Sequence, residues 1–492
     1  MLFNSFEFFA FYSTFLAVFF VAPKRIRPIL ILIASYVFYA GWRPSFLLLL
    51  ILTTCVDYCT ALVIDNAKRH WVRRTALITA LTINLGILGT VKYLDFILTN
   101  LIGVSGFLGI ELPPMAVNFV LPVGVSFYTF QSVGYTLDVY KRRFPAERNP
   151  LYYAIYVSFF PQLVAGPIER ASHMLAQYKE QKPSSPHRIT SGLWLVGWGL
   201  FKKMCIADLA APFVKGVYAN PSAFDGSYTL IATLLFTLQI YCDFSGYSDI
   251  AIGVARIMGF DLMVNFRQPY LATSLTTFWR RWHISLSTWF RDYLYLPLGG
   301  NRTSTLVWTR NILIVFAVSG IWHGANWTFL VWGLLHGTAL ITEELVSRRR
   351  TNRNNVLLSN SQLVAEYALP AKKPVRFILG LTYTLSFTIV GWVFFRANKI
   401  SDALKILGSW THLSLPNYGT FKILGLPSVE LFMLAIHVIV LIIVDCLLAY
   451  SPQKLSASRR SSFISVGAAV VLFYDIFLFG AFGRTDFVYF QF

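Results

Sequence analysis

An all-α polytopic membrane protein is what this sequence predicts, on three observations: the scarcity of charge, the length of its apolar runs, and the clustering of basic residues between those runs. Of 492 residues, 56% are apolar and 13% charged, about half the charged share of a water-soluble domain. A solvated surface therefore cannot cover most of the chain. Lys and Arg number 42 against 23 Asp and Glu, leaving a net charge of +19. In a membrane protein such an excess belongs to cytoplasmic loops, so it indicates topology before nucleic acid, and no nucleic-acid partner is expected. Aromatic residues at 16% suit interfacial belts and would be an aggregation hazard on a soluble surface. The five cysteines show no disulfide framework and no zinc-type spacing, so no metal site is expected.

Crossing a ~30 Å hydrocarbon core takes roughly 20 predominantly apolar residues. Runs free of Asp, Glu, Lys and Arg fall at Phe8 to Pro23, Pro28 to Trp42, Thr75 to Val91, Phe96 to Ile110, Leu112 to Leu137, Pro150 to Ile168, Gly226 to Cys242, Asn311 to Thr342 and Phe377 to Phe395. Pro44 to Ile64, Leu431 to Leu448 and Ser461 to Phe482 hold one acid and are expected to cross as well. The total is about eleven to thirteen membrane elements on the length criterion. Basic Lys24, Arg25 and Arg27 follow the first run and Glu7 leads it, the reverse of a cleavable signal peptide, so it reads as a retained helix with the N-terminus outside. Clusters at Lys68 to Arg74, Lys141 to Arg148, Arg348 to Arg353, Lys372 to Arg376 and Lys454 to Arg460 can then all be cytoplasmic, which places the C-terminus outside too. Glu169 to Lys203 has basic residues on both sides of Ile189 to Leu200 and reads equally as a crossing or a re-entrant segment. Residues 1–492 form one integral membrane domain without an internal repeat, and 346–376 is its polar, basic cytoplasmic loop.

Ionisable and polar groups at membrane depth mark a site or a buried pair. Asn311 to Thr342 runs 32 residues without a formal charge, about 48 Å as one helix at roughly 1.5 Å per residue, which a single crossing cannot use. A break is expected near Gly324, Ala325 and Asn326, making a hairpin, with His323 just before it. A membrane histidine is ordinarily a packed one, satisfied by a carbonyl or by a serine such as Ser319. A break weakens that reading, because opened backbone groups are tolerated only against protein or a wet cavity. His336 reads as structural. Residues 279–302 are rich in Trp and Arg and suggest an interfacial or re-entrant helix, with Trp279, His283, Leu286 and Phe290 on one face. Arg280, Arg281, Arg291 and Arg302 suit bidentate phosphate contacts, or serve as an ordinary positive-inside anchor. Gln239, Asp243 and Asp249 interrupt an apolar helix as a structural polar network, and the arginines at 280–302 are the expected partners of the two acids. Pro122 to Gln131 and Ser158 to Arg170 carry Pro and Gly at spacings that favour broken helices around a cavity.

Together these motifs resemble the membrane-bound O-acyltransferase (MBOAT) family, in its bacterial branch of alginate and peptidoglycan O-acetyltransferase membrane subunits. The likeness is carried by PVGVSFYTFQ at 122–131, FFPQLVAGPIER at 159–170, YCDFSGYSDIAIG at 241–253, NFRQPYLATSLTTFWRRWHISLSTWFRDYLYLPLGGNR at 265–302 and GIWHGANWTFLVWGLLHG at 320–337. The terminal MLFNSFEF and FVYFQF also look like that branch. The resemblance implies a ring of tilted and re-entrant helices around a central tunnel and funnel. It maps His323 onto the catalytic histidine and His283 onto the second motif histidine. It further implies transfer of an acyl group from a cytoplasmic thioester, acetyl-CoA as donor substrate with no bound cofactor, to a hydroxyl on the other face. The implied acceptor is an exported or cell-envelope polysaccharide, alginate-type first and peptidoglycan or cellulose next, expected to be reached through periplasmic partner proteins from the bacterial inner membrane. A neutral imidazole within reach of a hydroxyl can serve as general base, and Asn326 or backbone N–H groups at the Gly324 break can meet the oxyanion. A transporter of polysaccharide or lipid intermediates is the competing class, against which the lack of an inverted repeat counts.

Overall fold

The computed structural model describes residues 1–110, 112–113, 120–351, 374–450, 462–483 and 487–488. Most of the expected loop 346–376, the basic cluster 454–460 and most of the terminal FVYFQF lie outside the described residues. Every regular element among the described residues is helical. Among the described residues seven helices are long and apolar enough to cross a membrane: Pro44–Asn66, His70–Phe107, Gly226–Ile257, Thr305–His323, Trp327–Ser347, Pro374–Arg396 and Ser428–Ala449. Phe6–Val21, Arg27–Ala40 and Gly467–Phe479 are shorter apolar helices. The protein is thus a multi-pass membrane protein.

Three of the expected spans are corrected. Thr75 to Val91 and Phe96 to Ile110 lie in a single 38-residue helix, His70–Phe107, because the intervening Lys92 and Asp95 interrupt hydropathy without breaking helical geometry. Pro150 to Ile168 is no single span either. It forms Pro150–Ser158 and Phe160–Leu163, with Phe159 outside helical space at φ −50° and ψ 108°. Pro161 lacks an N–H and fits only in the first turn of a helix, so the chain restarts there.

The chain divides into two compact units, Met1–Val196 with Tyr247–Met263, and Gly197–Gly246 with Val264–Phe492. In the first, Ser5 caps Phe6–Val21 by accepting from the Phe8 N–H at 3.2 Å. Phe8, Phe38 and Phe160 pack ring against ring at 5.7–5.9 Å, and buried Asp57 is met by the Asn84 amide at 2.7 Å. Helix Val125–Tyr140 starts from left-handed Gly124, where a Cβ would lie 2.5 Å from the Leu163 carbonyl oxygen. At Gly166 a Cβ would lie 2.4 Å from the Gln162 Cα. These glycines therefore seat backbone on backbone within the broken segments at 122–131 and 158–170. Asp249 belongs to this unit, half-buried and within electrostatic reach of Arg256.

In the second unit, a π-turn at Phe201–Ala207 leads directly into helix Asp208–Ala219. Every residue of the π-turn is buried. From it the Lys203 ammonium reaches Asp208 and Asp243 at 2.8 Å each, and the Asp243 carboxylate also accepts from the Val488 N–H at 2.7 Å. This corrects the expected partners of Asp243: its cation is Lys203, not an arginine of 280–302. Removing the lysine would leave two buried carboxylates facing each other, a change that costs about 3–5 kcal/mol where buried pairs are broken.

Candidate active site

Helix Thr305–His323 ends on His323, Gly324 is extended at φ −163° and ψ 151°, and the chain restarts as helix Trp327–Thr351. The expected hairpin break therefore falls at Gly324 to Asn326. Its two arms meet backbone to backbone, since a Cβ on Gly320 would lie 2.3 Å from the Phe329 carbonyl oxygen and one on Gly333 2.2 Å from that of Phe316. At Gly324 a Cβ would lie 2.1 Å from the Phe329 ring, so the residue after His323 has no room for a side chain. Asn326 stitches the turn. Its carboxamide oxygen accepts from the Thr328 N–H at 3.1 Å, and its amide donates to the Asn398 carbonyl at 2.8 Å.

His323 is 3% exposed, and its ring packs against Trp322, Trp332 and Phe395 at 5.0–5.3 Å. Ser319, one turn earlier, is buried as well. An aromatic wall at helical depth holds the imidazole in one place and keeps bulk water from it, which strengthens any charge that develops beside it.

The segment 279–302 is not one helix. Leu275–Arg281 stops, Trp282 is extended, His283 takes a left-handed conformation at φ 44°, and Ile284–Phe290 starts anew before a π-turn at Arg291–Tyr295. Trp282, His283, Leu286, Trp289 and Phe290 are all buried. A non-glycine residue in left-handed space needs its surroundings to hold it there, and Asn265 does so. Its carboxamide oxygen lies 3.1 Å from His283 Nδ1 and accepts from the Ser285 N–H and hydroxyl at 3.2 and 3.0 Å. It thereby orients the ring with Nδ1 as the N–H atom and caps the restarted helix. Burial pushes the His283 imidazole down to about 3, so it is neutral at physiological pH.

The second unit brings the motif histidines into one aromatic chain. His283 packs on Trp322 at 6.2 Å, Trp322 on His323 at 5.0 Å, His323 on Trp332 at 5.1 Å and Trp332 on His336 at 5.3 Å. His336 is fully enclosed, its ring nitrogens have no hydrogen-bond partner among the described residues, and Gly391 lies directly over Nε2. The arginines are dispersed in environment. Arg281 is buried, while Arg280, Arg291 and Arg302 are exposed, and Arg291 pairs with its neighbour Asp292 at 2.9 Å. Gln239 is buried, with no partner for its carboxamide oxygen among the described residues. Sequence reasoning missed Asn265, Trp332 and Lys203. Asn265 does open the long motif at 265–302, but nothing in its spacing announces an 18-residue reach to His283.

Comparison with known proteins places this geometry. The model of MBOAT, the membrane-bound O-acyltransferase family, matches residues 141–357, a stretch that includes His283, His323 and His336. Over 419 residues the chain is 38% identical to a probable alginate O-acetylase of Azotobacter vinelandii, covering 84% of this chain and 79% of that protein. It is 37% identical over 405 residues to a peptidoglycan O-acetyltransferase of Helicobacter pylori, covering 77% and 72%. A teichoic acid D-alanyltransferase of Streptococcus thermophilus is 25% identical over 253 residues, covering 47% and 59%. With a buried histidine at the break of a membrane hairpin and identity of this degree over most of both chains, the chain belongs to the membrane-bound O-acyltransferase family.

Proposed function

We propose that this enzyme is an O-acetyltransferase that takes acetyl groups from cytoplasmic acetyl-CoA and delivers them across the bacterial inner membrane for O-acetylation of an exported or cell-envelope polysaccharide. Likeness to alginate and peptidoglycan O-acetylating enzymes supports this class of acceptor, with an alginate-type polymer first and peptidoglycan or cellulose next. Periplasmic partner proteins carry the group onward, and both termini face the periplasm. The observation that bears most weight is His323, a buried imidazole fixed by aromatic rings at the break of a nearly charge-free hairpin.

In this mechanism neutral His323 removes the proton from an acceptor hydroxyl, and the oxygen attacks the thioester carbonyl. The second N–H of the Asn326 amide, or backbone N–H groups at the Gly324 break, hold the tetrahedral oxyanion. Collapse expels the CoA thiolate, which takes the proton back from the imidazolium. His283 is neutral and held by Asn265, and it acts beside His323 through Trp322. Exposed Arg280, Arg291 and Arg302, with Arg281, receive the donor's phosphates. Proteoliposomes given labelled acetyl-CoA on the cytoplasmic face test the whole reading. Label appearing on an outward hydroxyl acceptor supports it, whereas passage of intact polymer without acetyl transfer would sink it in favour of a transporter.

A further inference from the structure

We propose that Cys205, His437 and Asp475 form a zinc site in the second unit, joining the π-turn Phe201–Ala207 to helices Ser428–Tyr450 and Ser462–Phe479. The cysteine sulfur, an imidazole nitrogen and a carboxylate oxygen of these residues all lie within 4.8 Å of one another. The hydrogen bonding around His437 gives the stronger reason. Its Nδ1 lies 3.0 Å from the Cys205 carbonyl oxygen, and a carbonyl can only accept, so Nδ1 carries the proton. In the neutral ring Nε2 is then a bare lone pair, yet it faces both carboxylate oxygens of Asp475, at 3.3 and 3.2 Å. Two acceptors at that distance need either a proton or a metal ion between them, and the nearby Cys205 sulfur favours the metal.

A tetrahedral zinc ion meets the requirement in geometry and chemistry. Ligand bonds of about 2.0–2.2 Å at the tetrahedral angle put a nitrogen and an oxygen ligand roughly 3.3–3.5 Å apart, close to the separations found here. Thiolate, imidazole and carboxylate together suit zinc, whereas calcium and magnesium take oxygen ligands. A zinc-bound histidine characteristically donates its other N–H to a carbonyl or carboxylate, as His437 does. Zinc binds a thiolate at about 2.3 Å, and the Cys205 sulfur lies within 4.8 Å of both other ligand atoms. Phe201 and Phe479 pack on the His437 ring at 5.3 and 6.4 Å and supply an apolar shell. The Asp475 side chain is 26% exposed, and in the proposed site a water would complete the fourfold coordination.

The test uses full-length, untagged protein in detergent micelles. Elemental analysis is expected to return about one zinc per chain, falling at least about tenfold in His437→Gln and Asp475→Asn, since even loss of an outer-shell partner costs about 10- to 100-fold in affinity. Cobalt exchanged into the site should show a thiolate charge-transfer band that Cys205→Ser removes. If the variants fail to fold, X-ray absorption of the wild-type protein decides alone: one sulfur at about 2.3 Å and nitrogen or oxygen at about 2.0–2.2 Å support the site. A monodisperse protein that contains no zinc and binds no cobalt overturns it and leaves a proton as the cation, making the pair a histidinium–aspartate bridge. Zinc content unchanged in all three variants overturns it too.

Discussion

The hairpin at His323 and the elbow at His283 both interrupt a helix beside a buried histidine, but for different physical reasons. The hairpin breaks because 32 charge-free residues are too long for one crossing, and the glycines at 320, 324 and 333 let its arms touch backbone to backbone. The elbow breaks inside a segment short enough to stay helical, and it does so because Asn265 holds His283 in left-handed space. One interruption follows from the bilayer, the other from a single side chain contributed from elsewhere in the unit. In the first the histidine sits at the end of an element that cannot continue. In the second it is itself the joint.

That contrast predicts unequal consequences. His323→Ala is expected to lower acetyl transfer by about 10²- to 10⁴-fold, the span that a general base contributes, at unchanged protein level. His336→Phe, which fills a site whose ring nitrogens make no hydrogen bond among the described residues, should keep most activity. Equal losses in both variants would mean that packing, not proton transfer, is what His323 provides. Gly333→Val should cost about 1–3 kcal/mol through overpacking, because its Cβ would meet a carbonyl oxygen at 2.2 Å. Detergent-phase thermal unfolding would read it, and an unchanged midpoint would show that the arms can separate freely. Asn265→Ala should cost roughly 1–3 kcal/mol by stranding buried donors, and it should impair activity only through His283. Normal stability with lost activity would instead give Asn265 a direct part in the chemistry.

The smaller effects lie in pH. His283 falls from an ordinary 6.5 to about 3 by burial, so between those values the unfolded chain binds a proton that the folded chain does not. Its stability is therefore full above about 6.5 and declines as pH falls toward about 3. Asn265→Asp would place a carboxylate beside the ring and raise its pKa, so the acid-side loss should flatten; a steeper loss would contradict the burial account. In the first unit, His173 behaves oppositely. Its hydrogen bond to Glu169 at 2.9 Å raises it above 6.5, against the opposing effect of burial. That contribution is present in full below 6.5 and is lost as pH rises through the raised value. His173 is half exposed, so solvent screening keeps this the smallest effect, and His173→Gln should flatten the alkaline side of a pH–stability curve.

Much of the site was legible because its signals are local or metric. The WHG motif, the long Trp- and Arg-rich motif and the arithmetic of run length need only neighbouring residues. What stayed hidden involves partners that meet only after folding. Asp243 advertises its need for a cation, but Lys203 is identified as that cation only once the π-turn sets it 2.8 Å away. Lys92 and Asp95 read as a gap between two helices, because hydropathy registers their charge and not their helical geometry. The proposed zinc ligands are 232 and 38 residues apart along the contacts that join them, far outside any metal-motif spacing.

By itself the sequence determined the solvent and the break. A chain with 13% charge must live in lipid, and a bilayer of fixed thickness dictates where a 32-residue apolar run must turn. Only the tertiary structure decided which residues answer each buried polar group: Lys203 for Asp243, Asn265 for His283, the Cys205 carbonyl for His437. The physical reason is that crossing a membrane is a property of one segment's length and polarity, whereas satisfying a buried charge or donor is a property of two atoms that packing alone brings within about 3 Å.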